Sequence, residues 1–156
     1  MTPPVRLLFV CLGNICRSPM AEGALRARLQ QAGLAHAVRH DSVGTGHWHV
    51  GEPPDHRAIA CAARHGVEIA DLRARQLCAG DFDEFDVLLC ADRANLRDVR
   101  ALAPAGAAHK CQLLSRYAGQ GDIEIPDPYT GGKREFDAVW TLVDRMAEAI
   151  ARRLST

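Results

Sequence analysis

The sequence predicts an α/β fold: a single domain over residues 1–156, built as one open parallel sheet of about four strands with helices on both faces. Three observations predict it. Short apolar runs alternate with stretches at helical spacing, as in repeated strand-helix units. The runs are continuously apolar instead of alternating, the pattern of strands buried on both faces. The chain has 156 residues, 47% hydrophobic and 24% charged, which suits one domain with its own core.

Each element has a local reason. Val5 to Val10 is apolar except for Arg6 and reads as the first strand. Ser18-Pro19 opens a helix, because Ser is a good N-cap and Pro is pre-organised for the first helical position. Met20, Ala24, Leu25 and Leu29 give that helix an inward stripe, and Gly33 ends it. Val38 to Val43 is the second strand. A loop with Gly44, Gly46, Gly51 and Pro53-Pro54 then leads into a helix over Asp55 to Arg64. Val87 to Cys90 is the third strand, followed by a helix from about Asp92 to Leu102, with Asp92 as its N-cap. Gln112 to Leu114 is a short fourth strand, and a polar loop runs from Gly119 to Gly132. The last helix, Lys133 to Leu154, carries Phe136, Val139, Leu142, Val143, Met146, Ile150 and Leu154 at helical spacing.

Charge and cysteine usage narrow the function classes. Lys+Arg and Asp+Glu both total 19, which argues against a broad nucleic-acid or anionic-membrane surface but leaves room for a local basic pocket. No apolar run approaches the ~20 residues needed to cross a bilayer. Arg6 before Leu7-Leu8-Phe9-Val10-Cys11 imitates a secretion signal, but the run is too short and no small-residue cleavage site follows. The 6 cysteines include no C-x-x-C pair and no Cys/His spacing typical of zinc, so thiols in a reducing cytoplasm are expected. Cys61, Cys78, Cys90 and Cys111 read as core or near-surface thiols. His47 and His49 beside Trp48 read as solvated side chains of a Gly-rich loop, not as metal ligands. No metal or cofactor is expected, and a monomer fits the size. A chain without a signal still has signal-independent export open to it.

Chemistry concentrates between the first strand and the first helix. Cys11-Leu12-Gly13-Asn14-Ile15-Cys16-Arg17-Ser18 places a thiol directly after a buried strand and an Arg just before a helix N-terminus. A tight loop there points backbone N–H groups inward, and the helix dipole adds about half a positive charge. Arg17 offers a planar fork for two phosphate oxygens. The same charges favour the Cys11 thiolate, and Ser18 is placed to donate a hydrogen bond to it. Gly13 and Asn14 suit the positive-φ backbone of such a cradle. A strand-end cysteine next to a capped helix is the plainer reading of the spacing alone. A nucleophile also needs an acid for its leaving group. Asp127, between Pro126 and Pro128, is the candidate, although in isolation it reads as an Asp-Pro turn with Tyr129 packed on the surface.

Together these residues resemble the low-molecular-weight protein tyrosine phosphatases, over nearly the whole chain. The C-x5-R-S-P loop is followed by Met20-Ala21-Glu22, Ser42-Val43-Gly44-Thr45-Gly46, Trp48, Arg73-Ala74-Arg75-Gln76, Asp92, Asn95-Leu96-Arg97-Asp98 and Asp127-Pro128-Tyr129. The resemblance implies hydrolysis of phosphotyrosine in protein substrates through a cysteinyl-phosphate on Cys11, with inorganic phosphate as product. It implies Asp127 as acid and then base, and Arg17 with the amides of Leu12, Gly13, Asn14, Ile15, Cys16 and Arg17 as the phosphate cradle. It also implies Ser18 as support for the thiolate, Asn14 and Ser42 as supports of the loop, and Trp48 and Tyr129 as walls of a deep ring slot. Cys16 is implied as a disulfide partner that protects Cys11 from overoxidation. Two positions depart from the family: Thr130 where a second aromatic is common, and Leu72 where many members carry His.

Related readings fit less well. Thiol-dependent arsenate reductases need two further shuttling cysteines. Cys90 falls near the first, but Ala91 to Val99 contains no second. Protein-arginine phosphatases tend to have Thr where Ile15 stands, and an apolar Ile suits a flat ring better. A non-catalytic phosphate-binding module leaves the nucleophile and acid without a purpose.

Overall fold

The structure, a computed structural model, describes residues 2–156. Strands β1 (Val5–Cys11), β2 (Val38–Gly44), β3 (Val87–Cys90) and β4 (Cys111–Leu113) form one parallel sheet in the order β2-β1-β3-β4. The helices are α1 (Arg17–Gln31), α2 (His56–Arg64), α3 (Asp81–Glu84), α4 (Arg93–Leu102), α5 (Leu114–Tyr117) and α6 (Lys133–Leu154). The expected open parallel sheet is the one observed.

Strand alternation divides the interior in two. Leu7, Phe9 and Cys11 of β1 face the larger core, with Met20 and Leu25 of α1, Ala58 and Cys61 of α2, Leu114 of α5, and Phe136, Val139 and Val143 of α6. Leu8 and Val10 turn the other way, against Phe82 of α3, Phe85, Leu88 and Val99 of α4. Apolar residues on both faces of β1 therefore force helices onto both faces of the sheet.

The topology also sets where a ligand goes. From β1 the chain moves to β2 on one side and later to β3 on the other, so a crevice opens beyond the carboxyl end of β1. Cys11 is the last residue of that strand.

Several boundaries shift from expectation. Helix α1 starts at Arg17 with Cys16 as its N-cap and no side-chain cap, so Ser18 lies inside the first turn. The Ser18 hydroxyl points instead to Cys11 and Asn14. β4 begins one residue early, at Cys111, which pairs with Leu88, and ends at Leu113 because Leu114 already belongs to α5. Helices α3 and α5, 4 residues each, are too short to leave a periodic signature. Asp55 caps α2 by accepting from the Arg57 N–H at 2.8 Å.

Candidate active site

The segment from Cys11 to Arg17 wraps over the end of β1. Its carbonyls are used outward: Cys11, Leu12 and Ile15 accept from the N–H groups of Thr45, Gly46 and Asp55 at 2.8–2.9 Å. Among the described residues, no protein acceptor takes the N–H groups of residues 12 to 17. The loop runs so close over Gly44 that a Cβ there would stand 2.7 Å from the Leu12 carbonyl oxygen. Of the two residues expected at positive φ, only Asn14 adopts it, at 57°. Gly13 is needed for a different reason, because a Cβ there would press on the His49 ring at 3.2 Å.

Asn14 spends its whole amide on holding this shape. Its Nδ2 donates to Ser18 Oγ at 2.7 Å and to Ser42 Oγ at 2.9 Å, and its Oδ1 accepts from the Arg75 N–H at 3.0 Å. The Arg75 guanidinium then binds Asp41 and Asp81, each at 2.9 Å. The network beneath the loop is thus organised by Arg75, while Leu72 packs among the partly buried apolar residues of the larger core. The Ser18 hydroxyl, accepting from Asn14, lies 3.0 Å from Cys11 Sγ and 3.4 Å from the Val43 carbonyl oxygen, so those two atoms share its one proton.

Arg17 is buried and bound from two directions. Its Nη1 donates to Asp92 Oδ2 at 2.6 Å and to the Ile125 carbonyl at 2.9 Å. Burial opposes its charge, but Cys11, Asp92 and Asp127 around it hold its pKa above the ordinary arginine value. Asp92 therefore does more than the expected capping. One oxygen accepts from the Asn95 N–H at 2.8 Å while the other fixes Arg17. The second contact spans 75 positions, so no local pattern in the sequence signals it.

Asp127 arrives from the loop before α6. Its Oδ1 accepts from the Tyr129 N–H at 3.1 Å, a side-chain bond that closes the expected Asp-Pro turn, and its Oδ2 lies 3.8 Å from Arg17 Nη2. Arg57 on α2 holds the loop by donating to the Tyr129 and Gly131 carbonyls at 2.9 and 2.8 Å. The structure thus brings Cys11, Arg17, Asp127, Trp48 and Tyr129 to one cavity of about 210 Å³, lined also by Leu12, Gly13, Ile15, Cys16 and His49. His49 is more than a solvated residue. It bonds Glu52 at 2.9 Å and stands 6.4 Å from the Tyr129 ring. His47 stacks on Trp48 instead. Thr130 is exposed and lies outside the cavity lining.

The remaining cysteines differ in setting. Burial, with Asp55 close by, pushes the Cys16 thiol well above its ordinary pKa. Cys90 is fully enclosed in the smaller core, away from any surface where a disulfide shuttle would run.

Fold and site together define an α/β protein with a thiol at the base of an anion cradle. A family model described as low molecular weight phosphotyrosine protein phosphatase matches residues 6–156. A low molecular weight protein-tyrosine-phosphatase of Streptomyces coelicolor is 46% identical over 143 residues, 89% of this chain and 87% of that protein. Among solved structures, YfkJ from Bacillus subtilis superposes with a TM-score of 0.90 at 33% identity, covering 99% of this chain and 96% of that one. Wzb from Vibrio vulnificus, solved in complex with benzylphosphonate, gives 0.84 at 29% identity, covering 96% and 98%. The chain belongs to the low molecular weight phosphotyrosine protein phosphatase family.

Proposed function

We propose that the chain, acting as one domain over residues 1–156, hydrolyses phosphotyrosine in protein substrates, with Cys11 as nucleophile, Arg17 as phosphate clamp and Asp127 as acid and base. The observation that carries this reading is the convergence of those three groups on one cavity, above a loop whose N–H groups have no protein acceptor.

Cys11 Sγ attacks phosphorus and forms the S–P bond. The P–O bond to the ring breaks, and its electron pair goes to the phenolic oxygen, which takes the Asp127 proton. The Asp127 carboxylate next accepts a proton from water as the water oxygen attacks phosphorus. The S–P bond breaks, the pair returns to Sγ beside the Ser18 hydroxyl, and inorganic phosphate leaves. Arg17 and the amides of residues 12 to 17 hold the equatorial oxygens, whose charge grows in both transition states.

Specificity follows from shape. Among the cavity-lining residues Trp48 and Tyr129 are 62% and 49% exposed and Ile15 is buried, which suits a flat ring that passes between the two aromatics to the loop, where a phosphoserine stops short. The benzylphosphonate bound by the Vibrio relative has the ring-to-phosphorus layout that this reading requires. Cys16, on the same loop, serves as the disulfide partner of Cys11 after peroxide oxidation. Six cysteines in a chain large enough to build its own core suit a reducing, cytoplasmic setting, and we take the working form to be a monomer.

The test is p-nitrophenyl phosphate hydrolysis across pH 5 to 8 with EDTA present, for wild type and Cys11→Ser, followed by phosphotyrosine and phosphoarginine substrates. Expected are metal-independent turnover lost in the variant and a preference for aryl phosphate of at least about tenfold in kcat/KM. Full activity in Cys11→Ser excludes the nucleophile assignment, and the reverse substrate ranking excludes the tyrosine assignment.

A further inference from the structure

A second cluster of reactive donors lies outside the cavity, across the junction of α2 and α6. Cys61 and His65 are four residues apart, so the end of α2 presents both on one face. Asp137 meets them from the start of α6. Cys61 Sγ, a His65 ring nitrogen and an Asp137 carboxylate oxygen all lie within 4.8 Å of one another.

We propose that Cys61, His65 and Asp137 form a binding site for a zinc-type divalent cation, with water as the fourth ligand. The donor set selects the metal class. A thiolate, an imidazole and a carboxylate suit a borderline-soft tetrahedral ion, whereas magnesium and calcium take oxygen ligands. The spacing fits as well. Zn–S and Zn–O bonds of about 2.3 and 2.0 Å at a tetrahedral angle separate the two ligand atoms by about 3.5 Å. Cys61 Sγ and Asp137 Oδ1 already stand 3.4 Å apart. His65 has an exposed side chain whose ring stacks on Trp140 at 5.3 Å and 16°, so a small slide along that ring face closes the remaining gap.

Two groups oppose the ion, and both yield. Arg64 Nη2 occupies Asp137 Oδ1 at 2.7 Å, but the side chains of this pair are 38% and 42% exposed, so water screens the interaction. The Cys61 thiol hydrogen-bonds Asp137 Oδ1 at 3.4 Å and lies 3.5 Å from the Phe136 carbonyl, and the ion takes the place of its proton. Binding therefore converts Cys61–SH and M²⁺ into a metal-bound thiolate and expels one proton to solvent. The third donor lies far along the chain from the Cys61-x3-His65 pair, which is why no metal spacing was legible in the sequence. The ion would tie α2, whose Arg57 holds the Tyr129 loop, to the helix that follows that loop.

The test is a titration of the full-length reduced protein with cobalt(II), read by the thiolate-to-metal charge-transfer band and by proton release. Expected is a 1:1 band with one proton released per metal, retained in Cys11→Ser and lost in Cys61→Ala. His65→Ala and Asp137→Asn, both on accessible side chains, weaken binding at least about tenfold without depending on the buried thiol's replacement folding well. Arg64→Ala, by freeing Asp137, tightens it. A band that survives in Cys61→Ala and disappears in Cys11→Ser assigns the metal to the phosphate loop and overturns the proposal. So does unchanged affinity in both accessible-residue variants, or no band at millimolar cobalt.

Discussion

Between Cys11 and Ser18 the chain is largely buried and its side chains bonded, whereas between Ile125 and Gly132 it is mostly exposed and tied at a few points. Cys11, Asn14, Arg17 and Ser18 are each 2–3% exposed. At that depth polar atoms need partners: the Asn14 amide and Arg17 Nη1 have theirs in the protein, while Arg17 Nε and Nη2, like the loop N–H groups, have no protein hydrogen-bond partner among the described residues. The acid loop is anchored at its base by the Ile125 N–H on the Ala91 carbonyl and farther along by Arg57, and it leaves the Asp127 side chain 44% exposed. The cradle is therefore pre-organised for charge, while the acid sits where substrate enters and phenol and water leave. Opening the acid loop breaks a few solvent-accessible bonds, whereas opening the cradle strands buried polar groups.

The largest effect comes from the exposed side of this comparison. Asp127→Ala lowers kcat about 10²–10⁴-fold for phenyl phosphates with poor leaving groups and much less for p-nitrophenyl phosphate. A leaving-group series measures it, and an equal loss across the series removes Asp127 from the acid role. Next is the cradle itself. Asn14→Ala breaks three hydrogen bonds and leaves a residue without a polar side chain at φ 57°. Urea unfolding should report a loss of about 2–4 kcal/mol, with lowered kcat for good and poor leaving groups alike. Unchanged stability breaks the contrast between the two loops.

A smaller effect is expected at the rim. A Cβ on Gly46 would lie 1.9 Å from the Trp48 ring, so Gly46→Ala displaces that wall. KM for aryl phosphates should rise about three- to tenfold with kcat nearly kept, the signature of lost uniform binding. The smallest effect is on stability alone. The Arg57 side-chain hydrogen bond holds Asp55 below the ordinary carboxylate pKa, and burial only partly opposes it. A depressed folded pKa stabilises above the unfolded value, and that contribution is lost as pH falls through the folded value. Wild type should therefore lose more stability on acidification below about pH 4 than Asp55→Asn does, with a difference near neutrality of about 1 kcal/mol. Parallel acid limbs for the two proteins break this assignment.

The two loops were not equally legible. The cradle is local: a buried strand, a thiol, an Arg and a helix start within a few residues, so its chemistry could be read from spacing. Asp127 is local only as a turn, and its place over Cys11 depends on where α6 and β3 pack. A histidine on a Gly-rich loop predicts a solvated side chain, since nothing near His49 in sequence signals Tyr129 or Gly13 as neighbours. Ser before Pro predicts a cap as well as a thiol partner; the thiol contact is present together with Asn14, and the cap is not, because the hydroxyl turns away from the α1 backbone.

By itself the sequence determined the parallel sheet, the bounds of α6 and the identity of the anion loop, because apolar runs, helical periodicity and turn residues act through neighbours a few positions apart. Only the tertiary structure decided that Asp92 and the Ile125 carbonyl hold Arg17, across 75 and 108 positions. It likewise decided that Arg75 closes the Asn14 network and that Asp137 completes a donor set with Cys61 and His65. Charged and polar contacts of that range are selected by where buried groups need partners, and that need exists only once the helices have closed over the sheet.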